Sequence, residues 1–187
     1  MRLIPLPQGG LRLRLDHDEA QLLDQLISQL IALLRSYSGT ALDPDPLFAS
    51  LEVGGSEVPP EDPALARLFP EAFEDGHEAS EFRRLTEQGL VNRKMQDALE
   101  VTRALGIGHA VEAGSADTPV EVDITPRSMD AWVRTLTSLR LAIAARLGLE
   151  HDADHARLFE QDDTRGTVMV YDWLAAILDS ILHTAAE

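Results

Sequence analysis

Residues 125–149 read TPRSMDAWVRTLTSLRLAIAARLGL, and this stretch decides the fold. Apolar side chains fall at Met129, Trp132, Val133, Leu136, Leu139, Ile143 and Leu147. That is the i, i+3, i+4, i+7 stripe of an amphipathic helix. Thr125 suits an N-cap and Pro126 a first helical position, and Gly148 supplies the stop. The spacing predicts the central helix of a small helical domain, with no side chain on it that asks for catalytic chemistry.

Upstream, Val120, Val122 and Ile124 alternate with Glu121 and Asp123, a short strand that feeds this helix. Residues 2–15 read as a hairpin. Gly9-Gly10 marks its turn, and Leu11, Leu13 and Leu15 then alternate with Arg12 and Arg14. A lone strand leaves its backbone groups unsatisfied, so residues 119–124 are expected to join the hairpin in one small sheet.

Three further helices surround the central one in this reading. Asp16 and Glu19 have capping-box spacing. They open a helix whose Leu23, Leu26, Ile27, Leu30, Ile31 and Leu34 face inward and which ends near Ser38-Gly39. Residues 79–105 read as helix in two pieces, with Ser80 as cap and a slip of phase near Gly89. The last helix runs from about Thr167 to Ala185 on Val170, Trp173, Leu174, Ile177, Leu178, Ile181 and Leu182. The fold class is therefore mainly α, a helical bundle of about four main helices with a small β-sheet from the N-terminal hairpin plus the strand near 119–124. A single domain spans residues 1–187.

Two acidic stretches interrupt it. Residues 40–78 carry Pro44, Pro46, Pro59, Pro60, Pro63 and Pro70. Within them a short helix is expected at 46–51, and a turn from Pro63, capped by Asp62, gathers Leu65, Leu68 and Phe69. Residues 71–78 are expected to be an exposed loop, residues 150–166 a second acidic loop and residues 106–118 a small-residue loop.

A net charge of −16 disfavours broad binding to nucleic acid or anionic membranes, both polyanions. Cysteine is absent, which removes disulfides, thiolate metal sites and thiol chemistry. No apolar run reaches the roughly 20 residues of a membrane span, and no apolar region follows Arg2 as in a signal peptide. The expectation is a cytoplasmic protein.

Catalytic signatures are missing. The sequence holds no P-loop, no Gly-x-Gly-x-x-Gly element and no Gly-x-Ser-x-Gly elbow. No catalytic residue, cofactor or metal ligand is assigned, and the reading is of a non-enzyme. Two patterns carry the alternatives. His151, Asp154 and His155 have metal-like spacing and would serve a metal-dependent enzyme or metal-binding protein, although no Glu base sits among them. Arg83, Arg84, Arg93 and Lys94 around the phase slip give the outline of a helix-turn-helix DNA binder, with Asn92, Arg93 and Gln96 as base readers.

Partner-binding residues are drawn from two regions. Phe69 and Phe73 are apolar anchors set among acids on a proline-stiffened segment, with Arg83 and Arg84 following. The acids there suit a basic protein partner, such as a transcription component. Arg12 and Arg14 form a basic strip that either pairs with the acidic body or meets an acidic partner. A homo-oligomer, as a structural or dimerisation module, is a further reading.

Several segments together resemble a known family. They are the Glu19-Ala20 start of the first helix with Leu22-Leu23, residues 59–70, residues 78–86, Trp132 with residues 136–142, and Tyr171-Asp172-Trp173-Leu174. In this order they are similar to the actinobacterial AosR-like family, a domain of unknown function whose namesake is an oxidative-stress transcription regulator. The resemblance covers nearly the whole chain, and its motifs are structural rather than catalytic. It implies a regulatory protein that works through protein partners. The redox-sensing version of that family depends on a cysteine pair, which this sequence lacks, so thiol sensing does not carry over. Methionine oxidation at Met95, Met129 or Met169 is the remaining redox chemistry, and those positions are expected to be buried.

Overall fold

The computed structural model describes residues 1–7, 9–37, 56–106 and 119–185. The helix end at Ser38-Gly39, the short helix at 46–51 and the loop over 107–118 lie outside them.

Strands β1 (Arg2–Pro5), β2 (Leu11–Leu15) and β3 (Val120–Ile124) form an antiparallel sheet in the order β1-β2-β3. Leu11 lies opposite Ile124, Leu13 opposite Val122 and Leu15 opposite Val120. The period of two thus turns Leu11, Leu13, Leu15, Val122 and Ile124 to one buried face. The hairpin turn is closed by Leu6 N–H to the Gly10 carbonyl and Gly9 N–H to the Leu6 carbonyl, both 3.0 Å. Gly10 has φ 90°, and a Cβ there would run into the Ile124 carbonyl oxygen. Conformation and space both demand glycine at this position.

Six helices occur among the described residues: α1 (His17–Tyr37), α2 (Pro63–Leu68), α3 (Gly76–Leu105), α4 (Met129–Leu147), α5 (Asp152–Glu160) and α6 (Asp162–Ala185). The four long ones form the bundle. Helix α4 packs against α1, α2, α3 and α6, and its Trp132, Leu136 and Leu139 are buried in the main core. Burying each such side chain contributes about 1.5–3 kcal/mol. Asp16 and Glu19 close the expected capping box on α1, each backbone N–H donating to the other's carboxylate. Asp62 caps α2 through Ala64 and Leu65 N–H. Gly148, at φ 67°, ends α4. None of the described helices is long and apolar enough to cross a membrane.

Four boundaries differ from the sequence reading. Helix α4 begins at Met129 rather than at Pro126. Thr125 and Ser128 instead close a preceding turn, with Met129 N–H donating to the Thr125 carbonyl at 2.9 Å and Thr125 N–H to Ser128 Oγ at 3.1 Å. Residues 150–166 are mostly α5 and the start of α6, not a loop. Asp154 accepts from the Glu150 and His151 N–H groups, and Asp162 and Asp163 sit in the first turn of α6. Acids placed there favour a helix N-terminus. The acidic segment 71–78 is shortened in the same way, because Asp75 caps α3 through His77 and Glu78 N–H and Ser80 lies within the helix. Finally, α3 is one continuous 30-residue helix through Gly89, so the helix-turn-helix outline does not form.

Gly10→Ala is expected to destabilise the protein by at least ~1–3 kcal/mol, the scale of a non-glycine residue forced into such a conformation. Urea unfolding followed by circular dichroism measures it. A midpoint unchanged from the parent would contradict this account of the turn.

Candidate partner-binding surface

Helix α3 carries its polar side chains inward over its first half. Arg83 is 6% exposed and Glu87 4% exposed, and Gln88 and Asn92 are buried beside them. Arg83 Nη1 donates to Glu87 Oε1 at 3.2 Å, and its Nη2 lies 3.7 Å from Glu71 Oε1. Glu87 Oε2 also accepts from Ser56 N–H at 3.2 Å. Only further along do Val91, Met95, Ala98, Val101 and Leu105 give the helix an apolar inner face. The apparent slip of phase near Gly89 has this origin. Phe82 and Leu85 belong to the outer face, while the inner face at that level is an ion pair.

Tyr37, at the end of α1, stacks on Phe69 with ring centroids 5.7 Å apart. Lys94 Nζ stands 5.9 Å from the Phe69 ring centre and 3.2 Å from Ser138 Oγ. Burial lowers the Lys94 pKa. The Tyr37 hydroxyl is pushed up to about 12, first by burial and then by the nearby Glu87 carboxylate.

The sequence-predicted residues therefore separate. Phe69 is buried in the core and is not available to a partner, and the buried Arg83 is consumed by Glu87 and Glu71. Phe73 is 44% exposed and meets Phe82, 42% exposed, edge to face at 5.5 Å. Leu85 and Leu90 are exposed as well. A cavity of about 210 Å³ between the 68–72 segment and α3 is lined in part by Leu68, Ala72, Phe82 and Leu90. Exposed Glu71, Glu74, Asp75, Glu78 and Glu81, and exposed Arg84, lie within a few positions of Phe73 or Phe82 along the chain. Phe82, Leu85 and Leu90 are the residues that sequence reasoning missed. Their signal was the mismatch between their phase and that of the Val91–Leu105 stripe.

Elsewhere, Arg12 forms a bidentate pair with Asp123 at 2.6 and 2.9 Å, and Arg14 lies 3.6 Å from Glu121 on the facing strand. The basic strip is thus paired within the sheet, and the Arg12 hydrogen bond holds the Asp123 carboxyl below its usual range. Asp154 is spent on backbone N–H groups and on Arg157, and His155 Nε2 lies 2.9 Å from Asp172 Oδ1. Among the described residues, no three His, Cys, Asp or Glu side chains converge on a position for a metal ion. Met95 is buried and Met129 partly so, whereas Met169 is exposed, contrary to expectation.

The model of a family described as Domain of unknown function (DUF2017) aligns with residues 1–185. No curated protein and no solved structure matches the chain.

Arg83→Met leaves Glu87 buried without its partner and is expected to cost about 3–5 kcal/mol. The double change Arg83→Met, Glu87→Leu is expected to recover most of that loss in urea unfolding; a double variant as weak as the single one would contradict it. Tyr37 gives a second test. Its folded pKa of about 12 lies above the ordinary 10.0, so its contribution is complete below pH 10 and is lost as pH rises toward 12. Stability measured across that window should fall more steeply in the parent than in Tyr37→Phe, and equal slopes would refute the assignment.

Proposed function

The chain belongs to this family of unknown function, and on that premise we propose that it is a non-enzymatic regulatory protein that binds a basic protein partner through the Phe73–Phe82 face. The observation that carries the reading is the exposed edge-to-face ring pair, with five exposed acids within a few positions along the chain. Large exposed apolar groups held together and flanked by charge are the usual form of a small binding hot spot. These acids set the sign of the partner, since they steer cationic groups toward the rings. A second copy of the chain is a poor occupant, because acids would face acids.

The likeness to the AosR-like family supports a setting in transcriptional or oxidative-stress control, in the cytoplasm. A basic component of the transcription machinery has the required charge. The net charge of −16 argues against DNA itself as the direct partner. Without cysteine, no stress signal reaches the protein through a thiol.

Phe73→Ala and Phe82→Ala discriminate this face from a structural role. Each is expected to hold stability within about 0.5–1 kcal/mol, as for exposed positions, while a basic protein retained from native lysate by the parent is lost. Retention unchanged in both variants would place the binding surface elsewhere. A fall in melting temperature with retention intact would make the rings structural.

A further inference from the structure

A cavity of about 540 Å³ opens between α2, α4, α5 and α6. It is within the size range of small-molecule sites. Its polar lining includes Arg67, Thr137, Arg140, His151, His155 and Tyr171. Arg140 sets it apart. Among the described residues it is the one arginine that is neither exposed nor in an ion pair. Its guanidinium carbon lies 4.4 Å from the Tyr171 ring centre, and its Nε is buried with no hydrogen-bond partner. Stacking of this kind fixes the plane of the fork and leaves its N–H edges for an acceptor. Arg67 of α2 lines the same cavity. It donates one hydrogen bond, to the Leu149 carbonyl at 3.3 Å, and has no carboxylate partner.

Arg140 and Arg67 line one cavity and neither is paired with a carboxylate among the described residues, in a chain with twice as many acids as bases. The acids nearest this cavity, Glu150 and Asp152, are exposed residues of its wall. They oppose a polyanion such as nucleic acid and leave room for one compact anionic group. We propose that the cavity binds a small oxyanion, a carboxylate or a phosphate, between Arg140 and Arg67, with the Thr137 hydroxyl as a further donor. Two planar forks and a hydroxyl match the acceptor geometry of such groups. The site shares no residue with the Phe73–Phe82 face, so the two proposals stand separately.

The test is calorimetric titration of the full chain at low ionic strength with inorganic phosphate and, separately, with succinate. Saturable binding of at least one probe is expected, and which one binds tells phosphate from carboxylate. Arg140→Gln should weaken it about ten- to hundredfold, the loss of a charge-assisted donor. Arg67→Gln, at an exposed position, should weaken it as well and decides the matter if Arg140→Gln does not fold. Phe73→Ala should leave it unchanged. Absence of binding by both probes, or equal affinity in the parent and the arginine variants, would overturn the proposal.

Discussion

Trp132 and Leu136 are fully buried on α4, and keeping water from them requires neighbours on several sides. Helices α1, α2, α3 and α6 supply those neighbours, and the sheet adds Leu11, Leu13, Leu15, Val122 and Ile124 to the same core. This constraint explains features that look local. Helix α2 has only six residues, too few to be stable alone. Its Ala64, Leu65 and Leu68 are buried, it packs on α4, and Arg146 of α4 reaches Asp62 at 2.6 Å. Gly10 matters for the same reason: it lets the hairpin approach β3 closely enough to place the sheet over the core.

Helix α3 is longer than α4 and meets different neighbours over its first half, where its inner face is Arg83, Glu87, Gln88 and Asn92. A buried ion pair is weak evidence for stability, because desolvation offsets much of the Coulomb gain. Its consequence here is geometric. With polar groups inside, the apolar Phe82, Leu85 and Leu90 of the same helix are left outside. A buried polar group and an exposed apolar face are the two informative departures from ordinary burial, and α3 shows both, back to back.

That inversion also marks the limit of what could be read from the sequence. The central helix, the hairpin and the third strand were legible because apolar periods of 3.6 and 2 translate directly into buried faces. The same rule misplaced α3, since it takes charge for solvent exposure. Acids were ambiguous for a related reason: Asp75, Asp154 and Asp162 look like loop solvation in a list of residues, yet they sit at helix starts. Phe69 and Phe73 are only four positions apart, and what separates them is remote in sequence, Tyr37 and Lys94 around one and Phe82 beside the other. Met169 was within reach. It was expected to be buried, yet it falls outside the Val170, Leu174, Ile177, Ile181 stripe, a phase that points to solvent. The stacking of Arg140 on Tyr171 joins two helices 31 positions apart and had no local signature.

The two proposed sites differ in the range over which charge acts. The chain has 32 acids and 16 bases, and Arg12, Arg14, Arg83, Arg134, Arg146, Arg157 and Arg165 are already paired. The field beyond the surface is therefore negative, and over distances near the Debye length of about 8 Å it favours a cationic partner and repels an anionic one. Inside a cavity the ordering changes. Coulomb energy falls with distance and with local dielectric, so two guanidinium groups in contact with a bound anion outweigh acids that solvent and salt screen. A protein this acidic can hold an anion only where contact is close and water is partly excluded, and it can attract a basic protein from farther away. The Arg140 cavity meets the first condition, and the acid-flanked rings of Phe73 and Phe82 meet the second.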